Sequence, residues 1–253
     1  MVSEFMENTV RQGSGRPFIA ARFDNDCIHR HTLNYKNIPY KTEWVEYPDI
    51  EKRCKELGIR PTTVLPHFTR YTLPAIHDSA TNIYMADSAP IAEYLEKQYP
   101  DTPTVFPNGT QGLQLFFEDS INIHLEPLYP FILPEVFHIL NPISQEFYRR
   151  TREKAYKKTL EELVLKGEEA VDAWAKSKAG FSKVAERYAK CQTQGPFLMG
   201  DTVSWADFVL SGDLIWYRCA LGEDSEKWQE IRTWDGGFWG RFVDAMKKFE
   251  QVK

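Results

Sequence analysis

The stretch YTLPAIHDSATNIYMADSAPIAEYL, residues 71–95, leaves this chain few folds to choose from. Two β-type runs, 72–77 and 82–86, flank an Asp/Ser/Thr/Asn turn, and Ala86-Asp87-Ser88 then opens an amphipathic helix. Pro74 cannot donate to a sheet, so either it opens the first run or Leu73-Pro74 forms a bend with a cis bond. Asp87 and Ser88 fall where the helix has unpaired N–H groups, and Ala89 and Pro90 suit its first turn, because the N–H that proline lacks has no helical partner there. Ile91, Tyr94 and Leu95 give the helix a buried stripe. Such a helix start attracts anions and carries an acid and a hydroxyl beside it. A plain helix cap after a strand-opening proline would use the same residues.

The whole arrangement resembles the glutathione transferase superfamily. In that family the residue before a cis-proline offers its backbone to the cysteinyl part of glutathione, and an acid-serine pair at a helix start holds the γ-glutamyl end. The resemblance implies glutathione as cofactor, with Leu73 and Pro74 in the first role and Asp87 and Ser88 in the second. The chemistry agrees: Ser88 and the helix start suit an α-carboxylate, and Asp87 suits an α-ammonium.

The rest of the chain supplies a matching order. Residues 1–16 carry little periodicity and read as a mobile tail. Residues 17–23 predict a short strand, and Asp24, Asn25 or Asp26 can cap a helix running to about Asn37 with Ile28, Thr32 and Tyr35 on one face. A second strand is expected over 40–47, and a second helix follows Asp49 and stops at Gly58. Residues 59–70 read as a loop. The order β-α-β-α-β-β-α is that of an α/β thioredoxin-like domain over 17–101, with a proline-marked linker over 102–111.

Beyond the linker the periods are helical, so 112–253 is expected to be an all-α domain. A helix is expected over 112–125, and Pro130 and Pro134 should interrupt or bend the apolar run 128–140. A long charged segment from Ser144 carries Phe147, Tyr156, Leu160, Leu163 and Val164 as a narrow buried stripe, its mixed charges being a solvated face. Ser204 with Asp207 three residues on is close to a capping box, with Val203 and Phe208 at the staple positions, which makes both polar residues structural. Gly236-Gly237 should break the last helical stretch, around which Trp216, Trp228, Trp234 and Trp239 are packing residues.

Composition narrows the function. Charged residues at 26% and a net charge of -5, with no basic block interleaved with aromatics, argue against nucleic acid as a partner. No apolar run reaches membrane-spanning length, and cysteines at 27, 54, 191 and 219 are too scattered for a disulfide framework, so a reduced, cytoplasmic setting is expected. His29 and His31 are two apart and would point away from one another on a helix, and no metal site is expected.

LNYKNIPYKTEWVEYPDIE, residues 33–51, together with Tyr99-Pro100-Asp101-Thr102-Pro103, is similar to the fungal FuA class of glutathione transferases, which is related to bacterial β-etherases. That likeness implies action on hydrophobic aromatic electrophiles, peroxides or aryl ethers through a bound glutathione thiolate, in a detoxification role. It also implies the alternative of glutathione or polyphenol binding with little or no catalysis, and it admits a homodimer.

The departure lies upstream. Where the class has a Ser-Pro-Asn-Thr-Trp loop, this chain reads Phe23-Asp24-Asn25-Asp26-Cys27. A transferase must lower the thiol pKa of glutathione with a hydroxyl or amide donor; Phe23 has none, and Asp24 or Asp26 would raise that pKa if close. Asn25, through its amide, is therefore the catalytic candidate. Cys27 at a helix start offers a second idea, a mixed disulfide with glutathione as in omega-like classes, although neighbouring acids disfavour its thiolate. Phe116, Phe117 and Tyr129 are candidates for the acceptor pocket, and His67 and Arg70 are candidates by charge for the glycine carboxylate.

Overall fold

A computed structural model describes residues 16–21, 27–190 and 195–252. Asn25 and residues 1–15 of the expected tail lie outside these residues, as does the cap at 24–26. Arg16, expected in the tail, already pairs with Tyr40 at the start of β1 (Arg16–Ala21).

The N-terminal half follows as α1 (Cys27–Tyr35), β2 (Tyr40–Val45), α2 (Ile50–Glu56), β3 (Thr63–Leu65), β4 (Phe68–Arg70), β5 (Ala75–Asp78), β6 (Ile83–Ala86) and α3 (Ser88–Gln98). One sheet has the order β2-β1-β5-β6, with β1 and β2 parallel across α1 and the other neighbours antiparallel. A parallel pair needs a crossover of a dozen or more residues, and 22–39 supplies it. The expected loop over 59–70 is corrected: it contains the hairpin β3–β4, in which Leu65 faces Phe68 and Thr63 faces Arg70. Strands of three residues separated by Pro66 and His67 give no alternation to read.

The α1 helix has more than one buried face. Leu33 packs into the sheet core with Ile76, Ile91 and Leu95, while Ile28 joins the helical core and His31 stacks on Phe208 at 5.7 Å. The residues expected to link two domains are themselves packed: Val105 and Phe106 are buried, and the Trp205 amide donates to the Val105 carbonyl at 2.8 Å. Lys36, whose side chain is wholly buried, bonds Glu96 at 2.8 Å and the Pro103 carbonyl at 3.2 Å, and Glu96 also accepts from the Val105 amide. One ion pair thus holds α1, α3 and the connection together.

The helical half comprises α4 (Gln111–Leu125), α5 (Tyr129–Ile139), α6 (Pro142–Tyr156), α7 (Leu160–Leu163), α8 (Gly167–Tyr188), α9 (Trp205–Leu221) and α10 (Glu226–Met246). Neither proline interrupts α5: Pro130 occupies its first turn and Pro134 sits within a continuous helix. The charged segment from Ser144 is not one stretch. Lys157 turns left-handed at φ 57°, and Thr159 restarts the chain with a capping box to Glu162. Its expected stripe is corrected as well: Leu160 is buried, Phe147 and Leu163 are half-buried, Tyr156 and Val164 are exposed, and Tyr148 is the buried aromatic.

The Ser204–Asp207 pair behaves as the sequence predicts. One Asp207 oxygen accepts from the Ser204 amide and hydroxyl, both at 2.8 Å, and the other from the Leu198 amide at 2.9 Å. The helix it starts, α9, is buried on every side from Trp205 to Leu214, the mark of a central core helix. Trp234 to Gly237 leave helical geometry within α10, as Gly236-Gly237 predicts, and Trp228, Trp234 and Trp239 are buried beside it.

Candidate functional site

Pairing of Ala75 with Ala86 in the β5–β6 hairpin brings the residues just outside it, Leu73-Pro74 and Asp87-Ser88, side by side. The Leu73-Pro74 bond is cis, and the Asp87 amide donates to the Pro74 carbonyl at 3.2 Å. The two halves of the stretch that looked like a binding site are therefore one place in the fold.

Asp87 caps α3. Its carboxylate accepts from the Ser88 amide at 2.8 Å, and its backbone sits at φ 85°, ψ 136°, outside the left-handed helical region and strained for any side chain. Asp87 is exposed and Ser88 half-buried. The Ala89 amide, in the first turn, has no carbonyl of its own helix to bond, and Pro90 has no amide to leave unpaired. A carboxylate, a hydroxyl and a first-turn N–H thus stand together at the positive end of an 11-residue helix.

This end is supported from below. His29 is fully buried on α1, and its Nε2 lies 3.2 Å from the Ser88 carbonyl, so that nitrogen carries the proton. Burial lowers the His29 pKa to about 4, the hydrogen bond to Ser88 offsetting part of the effect, and the ring is neutral at pH 7. Trp205 stands edge-on to His29, with 6.3 Å between centroids, and donates from Nε1 to Glu118 at 2.9 Å. Burial raises the Glu118 pKa; the Trp205 bond opposes the shift, and the charges of Asp87 and Asp119 add to it. The sequence treated His29 only as a metal candidate and gave no sign of Glu118, because neither lies near the motif in the chain. Among the described residues no group of three or more His, Cys, Asp or Glu could hold a metal.

The other candidates lie on separate elements. Cys27 opens α1 and is half-buried. Phe117 and Tyr129 lie half-buried at the margin of the large apolar core, Phe117 edge-on to Tyr188 at 6.3 Å and Tyr129 against Trp216 at 5.5 Å. Phe116 stands outside that core and is 71% exposed. His67 and Arg70 are on the β3–β4 hairpin, where the Arg70 guanidinium lies 5.0 Å from the centre of the Phe68 ring.

Comparison with known proteins agrees with this layout. The family profile "Glutathione S-transferase, N-terminal domain" matches residues 29–98, and "Glutathione S-transferase, C-terminal domain" matches 112–249. The glutathione S-transferase-like protein ustS of Aspergillus flavus is 33% identical over 221 residues, covering 82% of this chain and 77% of its own. Glutathione S-transferase CsGST63524 of Ceriporiopsis subvermispora, solved in complex with glutathione, superposes with a TM-score of 0.89 at 39% identity over 94% of this chain and 99% of its own. Glutathione transferase GSTFuA3 of Phanerochaete chrysosporium gives 0.87 at 35% identity over 94% and 98%. The chain belongs to the glutathione S-transferase family.

Proposed function

We propose that this chain binds glutathione at the junction of Leu73-Pro74 with Asp87-Ser88 and is a transferase acting on hydrophobic aromatic electrophiles, peroxides or aryl ethers. The Asp87 amide bonded to the Pro74 carbonyl carries this reading, since it sets an extended backbone edge beside a helix start. In this reading the Leu73 backbone takes the cysteinyl amide, Ser88 and the Ala89 N–H take the α-carboxylate, and the Asp87 carboxylate takes the α-ammonium. Complexes of similar proteins with glutathione support the ligand.

Glutathione supplies the thiolate nucleophile. Asn25 is assigned the activating role, since an amide donor stabilises thiolate over thiol. Phe117 and Tyr129 border the acceptor pocket. The glutathione-binding unit spans 17–101 and the helical unit 112–253, and the chain works as a cytoplasmic homodimer in detoxification.

The second reading keeps glutathione binding without appreciable turnover; Asp24 and Asp26, next to Asn25 in the sequence, favour it, because a carboxylate would oppose ionisation of the sulfur if close to it. A chromogenic aryl-halide assay beside calorimetric titration separates the two. Turnover lost in Asn25→Ala but kept in Cys27→Ser supports the transferase; binding without turnover supports the second reading. No heat of glutathione binding in folded protein would remove both.

A further inference from the structure

The chain leaves β2 through Glu46 and a single helical turn, Tyr47–Asp49, before α2 begins. This connection belongs to the N-terminal half, yet its hydrogen bonds reach α6 in the helical half. The Glu46 carboxylate accepts from the Asn141 side-chain amide at 2.5 Å and from the Ser144 hydroxyl. The Ser144 oxygen also accepts from the Tyr47 amide at 3.1 Å, and Ser144 is only 1% exposed.

These groups meet at the start of α6. Asn141 precedes the helix but makes no capping bond to it, and Pro142 opens the first turn. The N–H groups of Ile143 and Ser144 fall in that turn, where the helix itself offers no carbonyl, and the helix dipole favours a carboxylate held beside them. Tyr47 adds ring contacts. It stacks on Phe147 with 6.5 Å between centroids and tilts against Tyr148 at 6.4 Å, while the Tyr148 hydroxyl donates to the Leu133 carbonyl at 2.9 Å.

From Tyr47 the contact leads to the glutathione site. Tyr47 packs against the large helical core and also against the small cluster of Ile50, Cys54, Ile59, Leu73 and Ala75. Of the seven residues of α2 only Ile50 and Cys54 are buried, so the helix has few anchors of its own. Leu73, in the same cluster, is the residue whose backbone takes the cysteinyl amide in the proposed function. Thus α6 grips the turn, the turn places α2, and α2 backs the Leu73 edge. A segment with so few buried anchors opens locally at low cost. Any fraction of molecules with the edge out of place lowers the affinity for ligand in proportion.

We infer that Glu46, held by Ser144 and Asn141, is a positioning residue for glutathione: the grip of α6 on this carboxylate keeps the Leu73 edge seated. This role presupposes the glutathione site of the proposed function.

Calorimetric titration with glutathione and amide hydrogen exchange test it on the full chain, in the wild type, Ser144→Ala, Glu46→Ala and the double variant. Circular dichroism checks that each is folded. Each single variant should bind glutathione about three- to tenfold more weakly, since the bond lost reaches the ligand only through the population of the seated edge. The double variant should bind no more weakly than the weaker single one, because both cut the same link. Without glutathione, exchange should quicken over 46–56 and not in α9, and saturating glutathione should slow it again, because the ligand selects the seated edge. Wild-type affinity in both single variants overturns the inference. So do losses that add in the double variant, and exchange that quickens equally in α9, which would make the link one of general stability. No heat of binding in the folded wild type removes the glutathione site itself and this role with it, a result distinct from wild-type binding that the variants leave unchanged.

Discussion

At Asp87 a single side chain holds two jobs that substitution can separate. Its carboxylate caps α3 through the Ser88 amide and, in the proposed function, faces the ammonium of glutathione. Asp87→Asn keeps an oxygen acceptor for the cap and a side chain of the same shape, which leaves the backbone strain at φ 85° unchanged, so the melting temperature should move little. The lost charge should weaken glutathione binding roughly 10- to 100-fold, the worth of a charge-assisted hydrogen bond, as read by calorimetry. Ser88→Ala should cost less, about three- to tenfold, because a neutral hydroxyl is replaced while the helix start remains. Beneath them, buried titratable groups set the acid limit of the fold. Burial holds His29 at about 4, and burial aided by the Arg30 and Arg218 charges holds His31 at about 3, so between pH 6.5 and those values the unfolded chain binds protons that the folded chain refuses. Their contribution therefore falls as pH falls. Asp207, raised to about 6 by burial against the hydrogen bonds it accepts, works the other way: between about 6 and 3.8 the folded chain is the one that binds the proton. Glu118, which burial also raises, sides with Asp207, and Glu96, lowered against burial by the bonds it accepts from Lys36, Thr104 and Val105, sides with the histidines. The unfolded state is then ahead by at most about one proton, and stability should drop by no more than ~1.4 kcal/mol per pH unit from pH 6 to 4. Urea unfolding across that range measures the slope. His31→Phe, which keeps a ring against Phe208, should flatten it.

The elements differ in how openly the sequence announces them, and the difference is physical. A pattern confined to neighbouring residues can be read directly. Ser204-x-x-Asp207 is such a pattern, and Asp207→Ala should cost about 3 kcal/mol in urea unfolding, because the amides of Leu198 and Ser204 lose their acceptor inside the core. Gly236-Gly237 is another, as is Leu73-Pro74, whose cis bond is one of the two options the sequence admitted. Thr159-x-x-Glu162 was just as local and marks the restart at α7, yet the charged run around it concealed the break at Lys157. The β3–β4 hairpin was illegible for a different reason: each strand is too short to show a period, and its side chains remain exposed. Of the site, the motif residues were readable because β5, β6 and α3 are consecutive. The support from His29, Trp205 and Glu118 was not, since it depends on α1, α9 and α4 meeting across the molecule.

For the whole molecule, the two halves are bound by polar contacts as well as by apolar packing. Asn34 donates to the carbonyls of Phe249 and Gln251, both at 2.8 Å, Tyr40 donates to Gln251 at 2.9 Å, and Arg218 pairs with Glu250 at 2.6 Å, so the C-terminal segment is held against both the first helix and α9. Lys36 adds the buried pair with Glu96 at the connection between the halves. Contacts of this kind leave neither half a complete surface of its own, and the chain should unfold in one cooperative step. Tryptophan emission, which reports mainly on the helical half, and far-ultraviolet circular dichroism should then fall at the same urea concentration. Lys36→Met tests the coupling directly. Removing one partner of a buried pair leaves the other charge uncompensated, at a cost of about 3–5 kcal/mol. Glu96 keeps the Val105 amide as a donor, which places the expected loss at the lower end of that range. Because Lys36 bonds both α3 and the Pro103 carbonyl, its loss should also loosen the helix that carries Asp87 and Ser88, seen as faster amide hydrogen exchange in α3 than in α9. Equal exchange in both helices, with the stability loss present, would mean that the pair holds the fold together without bearing on the site.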